Sequence, residues 1–322
     1  MNNTKEIKRR IKSIGNTGKI TRAMEMVSAA KMRKAVEGVI KIRPYAYSAW
    51  RVLTNLARSF ERDAKDIPLL EVREVKKILI LVITSNRGLC GAFNSQIMKR
   101  IREQIKNPQN LLINRIGEKK IEPKDSNFRP QIDFITIGRK GEKMVRKLKA
   151  GEIIASFPDL SYIPKTSDIY PLVKMVIEEY ENKKYDKVVL IYTDYVSTVV
   201  QETKIRQLLP ISKIDIEKQI IEMNSDVDDF NFKKTENEYK VEPSPETVLK
   251  EIFPRLIEMQ IFHAILESNA AKESARMVAM RSATDAAKEM GEELTLAYNQ
   301  IRQIKITQEI AEISAGKAAL EQ

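Results

Sequence analysis

Cysteine, histidine and tryptophan each occur once in this chain, as Cys90, His263 and Trp50. A lone cysteine closes no internal disulfide and builds no intramolecular dithiol switch, and it fits a reducing compartment. One histidine and one cysteine supply neither a His-rich nor a Cys-rich metal site, which removes catalytic zinc. Apolar runs are short: the longest, Ile78–Ile83, falls far below the roughly 20 residues that a bilayer-crossing helix needs. Phosphate loops are missing too. There is no GxxxxGK[ST] and no complete GxGxxG, only Gly88 and Gly91 after one apolar run and Gly138 and Gly141 after another. Those glycines are expected to make tight strand-to-helix turns. His263 falls on a helical core position and reads as a packed side chain, and no nucleophile and base can be paired. The sequence therefore specifies no catalytic residue, no cofactor site and no metal site.

What is present is a strong, uneven positive charge. The net charge is +12 over 322 residues. Residues 1–60 hold 14 Lys and Arg against Glu6, Glu25 and Glu37, a balance of +11, whereas residues 246–322 hold 9 basic and 12 acidic residues, a balance of −3. A basic segment of this kind seeks phosphate, anionic lipid or acidic protein loops, or is simply a solvated face. The first 35 residues are basic and poor in acid, as in a mitochondrial transit peptide, but lack the apolar core of a signal peptide.

Two interleaved seven-residue series, from Ile7 and from Ile11, place an apolar stripe on one side of an N-terminal helix. It runs through Ile7, Ile11, Ile14, Met32, Ala35, Val39, Ile42, Ala46, Ala49, Leu53, Leu56 and Phe60, interrupted by Gly18, Thr21, Glu25 and Ser28. Over the interruption the apolar positions are Ile20, Met24 and Val27, so the stripe is expected to rotate around the helix there and to change partner. Pro44 removes one backbone bond, and a bend is expected over 42–45. A second long helix is expected from Pro245, capped by Ser244. One heptad frame holds along it through Leu249, Ile252, Leu256, Met259, Leu266, Ala270, Met277, Met280, Ala287, Leu294, Tyr298 and Ile301, interrupted by His263, Glu273, Thr284 and Gly291. At 1.5 Å per residue, a helix to about Ala315 would be roughly 100 Å long. Such a helix needs a partner, and the comparable one lies at the opposite terminus, which predicts an antiparallel intramolecular coiled coil. Along it Glu267, Glu273, Glu289, Glu292 and Glu293 mostly read as solvated, and Met24, Met26, Met277 and Met280 as core filling.

Between these helices KKILILVITS reads as a buried strand and RGLCGAFNSQIMKRIREQI as a loop entering a helix. QIDFITIG, GRKGEKMVRKL, a helix over 167–182 and DKVVLIYTDYVST continue as strand, helix, helix, strand, the pattern of an open α/β sheet. QETKIRQLLPI adds an antiparallel strand. Residues 107–130 and 224–244 lack periodicity and read as loops.

Three segments together resemble one family over nearly the whole chain. IKRRIKSIGNTGKITRAMEMVSAAKMRKA resembles the opening of F-type ATP synthase gamma subunits, SNRGLCGAFN their central glycine motif, and ESARMVAMRSATDAAKEM with RQIKITQEIAEISAGKAAL their closing helix. The resemblance implies an α/β protein: a long antiparallel coiled coil of the N- and C-terminal helices plus a Rossmann-like open α/β domain. Its parts would be a coiled-coil helix over 1–60, the α/β domain over 75–215, a mobile connector over 216–244 and the second coiled-coil helix over 245–322. It implies a non-catalytic central stalk that couples ion flow through the membrane ring to ATP synthesis or hydrolysis at the beta subunits by rotation. The implied partners are three alpha and three beta subunits, the epsilon subunit and the membrane c-ring, with no nucleic acid and no cofactor.

By position, the resemblance makes Arg302 and Gln303, with Thr307 and Glu309 beyond them, contacts for a loop of the beta subunit. It makes Lys19, Arg22 and Met24 face an acidic loop of the same subunit, flanked by Arg276 and Arg281, and puts the tip from Ala315 to Gln322 in an apolar bearing. Tyr239 and Glu242 would face the membrane ring and epsilon. Asn86 stands where an aspartate is commoner, residues 107–130 look like an insertion, and the cysteine pair of chloroplast members is absent. The family's opening begins within a few residues of Met1, so the basic terminus is expected to be the mature helix of a peripheral protein on the cytoplasmic face of a bacterial membrane. Two other classes compete: a coiled coil tracking nucleic-acid phosphates with residues 5–43, and an enzyme using the sheet as a dinucleotide site.

Overall fold

A computed structural model describes residues 2–63, 67–116, 119–121, 128–158, 160–211 and 245–320. Two long helices hold the ends of the chain, α1 (Asn2–Asp63) and, at the other end, Pro245–Leu320. Between them the order is β1 (Lys77–Ile83), α2 (Phe93–Lys106), α3 (Gln109–Leu112), β2 (Asn114–Ile116), β3 (Lys119–Ile121), β4 (Gln131–Ile137), α4 (Arg139–Leu148), β5 (Ile153–Phe157), α5 (Thr166–Glu181), β6 (Lys187–Tyr195) and β7 (Gln201–Leu209). The C-terminal helix is α6. It starts at Pro245, as the sequence predicts; Ser244 and the connector over 216–244 lie outside the described residues. α1 stays helical through Pro44. The chain packs as two units, Met1–Ala30 with Arg276–Gln322, and Lys31–Ala275.

In the first unit α1 and α6 run antiparallel. Gly18 lies against Ala287, Thr21 against Thr284, and Ile11 and Gly15 line a groove with Gly291, Glu292 and Thr295. The covered side of α1 passes through Ile7, Ile11, Ile14, Gly18, Thr21 and Ser28 without turning. This corrects the expected rotation of the stripe: Ile20, Met26 and Val27 stay exposed. Small and hydroxyl residues hold the seam, because a Cβ on Gly18 would already stand 3.4 Å from that of Ala287. Met26 is accordingly not core, whereas Met280 is buried and Met24 and Met277 half-buried.

The second unit is a five-stranded sheet in the order β5-β4-β1-β6-β7, parallel except for β7, which pairs antiparallel with β6. β1 is buried on both faces, as its unbroken apolar run predicts. Leu79, Leu81 and Ile83 point into a cluster with Leu172 and Val176 of α5 and Leu256 and Ile265 of α6. Ile78, Ile80 and Val82 point the other way, into a cluster with Ile97 and Ile101 of α2 and Val145 of α4. β5, which the sequence does not announce, is a half-exposed edge strand. The expected loop over 107–130 contains α3, whose Leu111 and Leu112 are buried in the second cluster, and the two-stranded ribbon β2–β3.

Within this unit α6 is also more polar inside than its heptads suggest. Glu258, Gln260, His263, Glu267, Ser268, Asn269, Glu273 and Ser274 are all buried. The expectation of solvated carboxylates therefore fails at Glu267 and Glu273, while Glu289, Glu292 and Glu293 are exposed. His263 is packed, its Nε2 lying 3.4 Å from Glu267 Oε1. The physical reason is the ladder. β1 pairs with β6 only as far as Val82 opposite Ile191, whereas β7 follows β6 to Tyr195. The overshooting backbone needs partners, and α6 supplies them: Thr193 N–H donates to Ser268 Oγ at 3.1 Å, and Tyr195 N–H to Glu267 Oε2 at 3.1 Å.

Candidate functional site

Chemistry in an open α/β sheet belongs at the carboxyl ends of the strands, where loops present helix amides to a ligand. Here the amides at the start of α4 are occupied by the protein itself. Arg139 N–H donates to Asn86 Oδ1 at 3.2 Å, Lys140 N–H to the Ser85 carbonyl at 3.1 Å, and Gly141 N–H to Thr84 Oγ1 at 2.8 Å. Gly138 has φ +97, and a Cβ there would stand 2.4 Å from the Thr84 carbonyl oxygen. A Cβ on Gly141 would stand 2.7 Å from Thr84 Oγ1. These glycines let one turn press against the other and leave no phosphate cradle between them. Gly91 has φ 53 and turns the chain into α2. Asn86 thus has a role that the sequence does not reveal: its carbonyl oxygen caps α4 from a neighbouring loop. Cys90 is buried and free, next to Asn94 Nδ2 at 3.3 Å. No group of three or more His, Cys, Asp or Glu able to hold a metal occurs among the described residues, and no described helix is long and apolar enough to cross a membrane.

The residues that the resemblance singled out lie elsewhere. Lys19, Arg22, Met24, Arg276, Arg281, Arg302, Gln303, Thr307 and Glu309 all belong to the helix-pair unit. Seven of them are exposed, while Met24 and Arg276 are half-buried. They are spread along two helices and are not gathered into one cluster. Arg22 pairs with Glu25 at 2.8 Å, Glu309 with Lys305 at 3.4 Å, and the Thr307 hydroxyl donates to the Gln303 carbonyl at 3.0 Å. Tyr239 and Glu242 lie outside the described residues.

The C-terminal stretch adds a feature that the charges do not announce. Every residue from Arg302 to Ala315 is exposed. Among them Ile306, Ile310 and Ile313 are 45, 59 and 73% exposed and share one side of α6 by their spacing, with Ile304 67% exposed on the opposite side. Branched aliphatic side chains exposed on two sides of one helical stretch form the kind of surface through which proteins bind partners.

A family model described as ATP synthase matches residues 3–320. The ATP synthase gamma chain of Legionella pneumophila strain Corby is 36% identical over 320 residues, 99% of this chain and 100% of the relative. That of Chloroflexus aurantiacus is 38% identical over 324 residues, 99% of each chain. Among solved structures, a chain of the Euglena gracilis mitochondrial ATP synthase, OSCP/F1/c-ring, in rotational state 3 aligns with a TM-score of 0.61 at 18% identity, covering 98% of this chain and 94% of that one. A chain of the Tetrahymena thermophila mitochondrial ATP synthase central stalk and c-ring aligns with a TM-score of 0.55 at 22% identity, covering 82% of this chain and 99% of that one. Sequence likeness from end to end, on a fold shared with these stalks, places the chain in the ATP synthase gamma-chain family.

Proposed function

We propose that this chain is the rotating central-stalk subunit of an F-type ATP synthase, coupling ion flow through a membrane ring to ATP synthesis or hydrolysis on beta subunits. The observation that carries this reading is the solvent-exposed isoleucine surface of α6 beyond Arg302, which needs an enclosing partner. Three alpha and three beta subunits are that partner, and epsilon and the c-ring meet the other parts of the chain. Catalysis belongs to the beta subunits; the filled turn at Gly138 supports a non-catalytic role here. Bacterial relatives of full length support a peripheral place on the cytoplasmic face of a bacterial membrane.

A shaft that turns against its housing cannot be locked to it by one large apolar seam, so outside the narrow isoleucine tip its contacts with beta should be few and polar. Arg302 and Gln303, exposed side by side, fit as the catch for a loop of beta, and Lys19 and Arg22 fit an acidic loop of opposite sign. Tyr239 and Glu242 are the residues assigned to the foot contact with the ring and epsilon. Purification from native membranes tests the reading. One copy of the chain per three alpha and three beta subunits supports it, and recovery of the chain alone or on nucleic acid refutes it.

A further inference from the structure

Around one turn, four successive residues of α6 meet three neighbours: α1, the end of β6 and the segment before α5. Leu266 packs on α1, its Cδ1 lying 3.4 Å from where a Cβ on Gly38 would stand. The Glu267 carboxylate accepts the Tyr195 amide. The Ser268 hydroxyl accepts the Thr193 amide at 3.1 Å and donates to the Thr193 carbonyl at 3.3 Å, filling the place of a missing strand residue. Asn269 Nδ2 donates to the Tyr162 carbonyl at 2.7 Å. Tyr162 then reaches α1, its hydroxyl donating to the Lys31 carbonyl at 2.7 Å, while the ammonium groups of Lys31 and Lys272 stand 6.0 and 5.5 Å from its ring centre.

Successive helical residues are about 100° apart, so these four side chains leave the helix over about 300°, with Glu267 and Ser268 converging on β6. Apolar packing alone lets a smooth helix slip, because dispersion is non-directional. Hydrogen bonds to fixed backbone groups on two elements, β6 and the Tyr162 segment, are directional and oppose both rotation about the axis and sliding along it. Buried polar side chains are costly in a helix that packing alone would hold, and Glu267, Ser268 and Asn269 are each less than 9% exposed.

Resting on the function proposed above, we infer that Glu267, Ser268 and Asn269, with Tyr162, key α6 to the sheet unit, and that torque enters the long helix at this turn. These are positioning residues: they touch no nucleotide and act by fixing the angle of α6 against the sheet.

The test uses the assembled complex, with a bead attached to the sheet unit through Lys99→Cys and the rotor stalled by a non-hydrolysable nucleotide. The width of the angular distribution reports torsional stiffness, which a general loss of stability would not change in complexes that remain assembled. Tyr162→Phe combined with Ser268→Ala and Asn269→Ala should widen the angular variance about twofold or more, by loosening groups that fix the helix angle. Ser268→Thr, which keeps a hydroxyl, should restore much of the stiffness lost in Ser268→Ala. Should the triple variant fail to assemble, Tyr162→Phe and Ser268→Ala are read singly. Unchanged variance in rotors that turn normally overturns the key. Unmodified complexes that assemble without nucleotide-driven rotation overturn the proposed function instead.

Discussion

The Thr21 and Thr284 hydroxyls lie 2.7 Å apart across the seam between α1 and α6. Each also has a carbonyl of its own helix within reach, Gly18 at 3.0 Å for Thr21 and Met280 at 2.8 Å for Thr284. Two hydroxyl protons serve three bonds, so the cross-helix bond forms at the expense of one back-bond. Removing one hydroxyl leaves the other with its own carbonyl as acceptor but without its cross-helix partner. Thr21→Val and Thr284→Val should each cost about 1 kcal/mol, and the double variant should lose much less than the sum of the two. Denaturant unfolding of the full chain reads this cycle, and strict additivity would show that the two hydroxyls do not interact.

Two glycines should respond in opposite directions to the same methyl group. Gly15 is a helical residue whose added Cβ meets nothing within 4 Å, so Gly15→Ala should stabilise α1 by about 1 kcal/mol through helix propensity. Gly138 combines φ +97 with a Cβ position 2.4 Å from the Thr84 carbonyl oxygen, so Gly138→Ala should destabilise by about 3 kcal/mol. Unfolding midpoints of the two variants against the parent decide both, and equal small shifts would contradict the contrast.

The two long helices and the sheet differ in how much the sequence discloses of them. The heptad frame names the covered side of α6 because Leu, Ile and Met recur on it, and the run from Ile78 to Ile83 names β1. The course of the seam past Gly18, Thr21 and Ser28 is hidden, because small and hydroxyl residues carry no apolar signal until a partner helix packs so closely that a Cβ on Gly18 would stand 3.4 Å from that of Ala287. Glu267 and Ser268 are hidden for a related reason. Their burial follows from β6 running past β1, a consequence of strand register that no local pattern contains. β5 escapes notice because IIASF is a short edge strand with no clean alternation of burial. The exposed positions Arg302 and Gln303 were legible only through resemblance, since a lone Arg-Gln pair on a solvated helix has no physical signature of its own.

Alkaline pH should weaken the sheet unit through its buried tyrosines. Burial raises the hydroxyl pKa of Tyr180 and of Tyr192 above the usual value of 10.0, offset in part by Arg73 and Arg206 respectively. The Tyr180 hydroxyl donates to the Glu71 carbonyl at 2.6 Å, a bond that only the protonated form can make. The unfolded chain releases these protons at the ordinary value, so their contribution is complete below about pH 10 and is lost as pH rises above it. The slope reaches about 1.4 kcal/mol per pH unit for each group while the folded form stays protonated. Denaturant midpoints of the full chain should fall between about pH 9 and pH 11, less steeply in Tyr192→Phe. A midpoint independent of pH in that interval would contradict the sign.

The isoleucines at the end of α6 separate folding from assembly. Ile306, Ile310 and Ile313 are already in water, so changing all three to serine removes little from the folded chain. Its unfolding free energy should move by only about 0.5 kcal/mol per site. Enclosure within a ring of alpha and beta subunits would bury each side chain, worth about 1.5–3 kcal/mol apiece when complete. A rotor must slide against that ring, so the realised gain should sit at or below the lower end. Three losses of about 1 kcal/mol each correspond to about a 100-fold weaker association with the alpha–beta ring. Titrating the triple variant and the parent against that ring measures the difference. An unchanged affinity with an unchanged fold would mean that the isoleucine surface stays in water in the assembled complex, and the enclosing partner would have to be sought elsewhere.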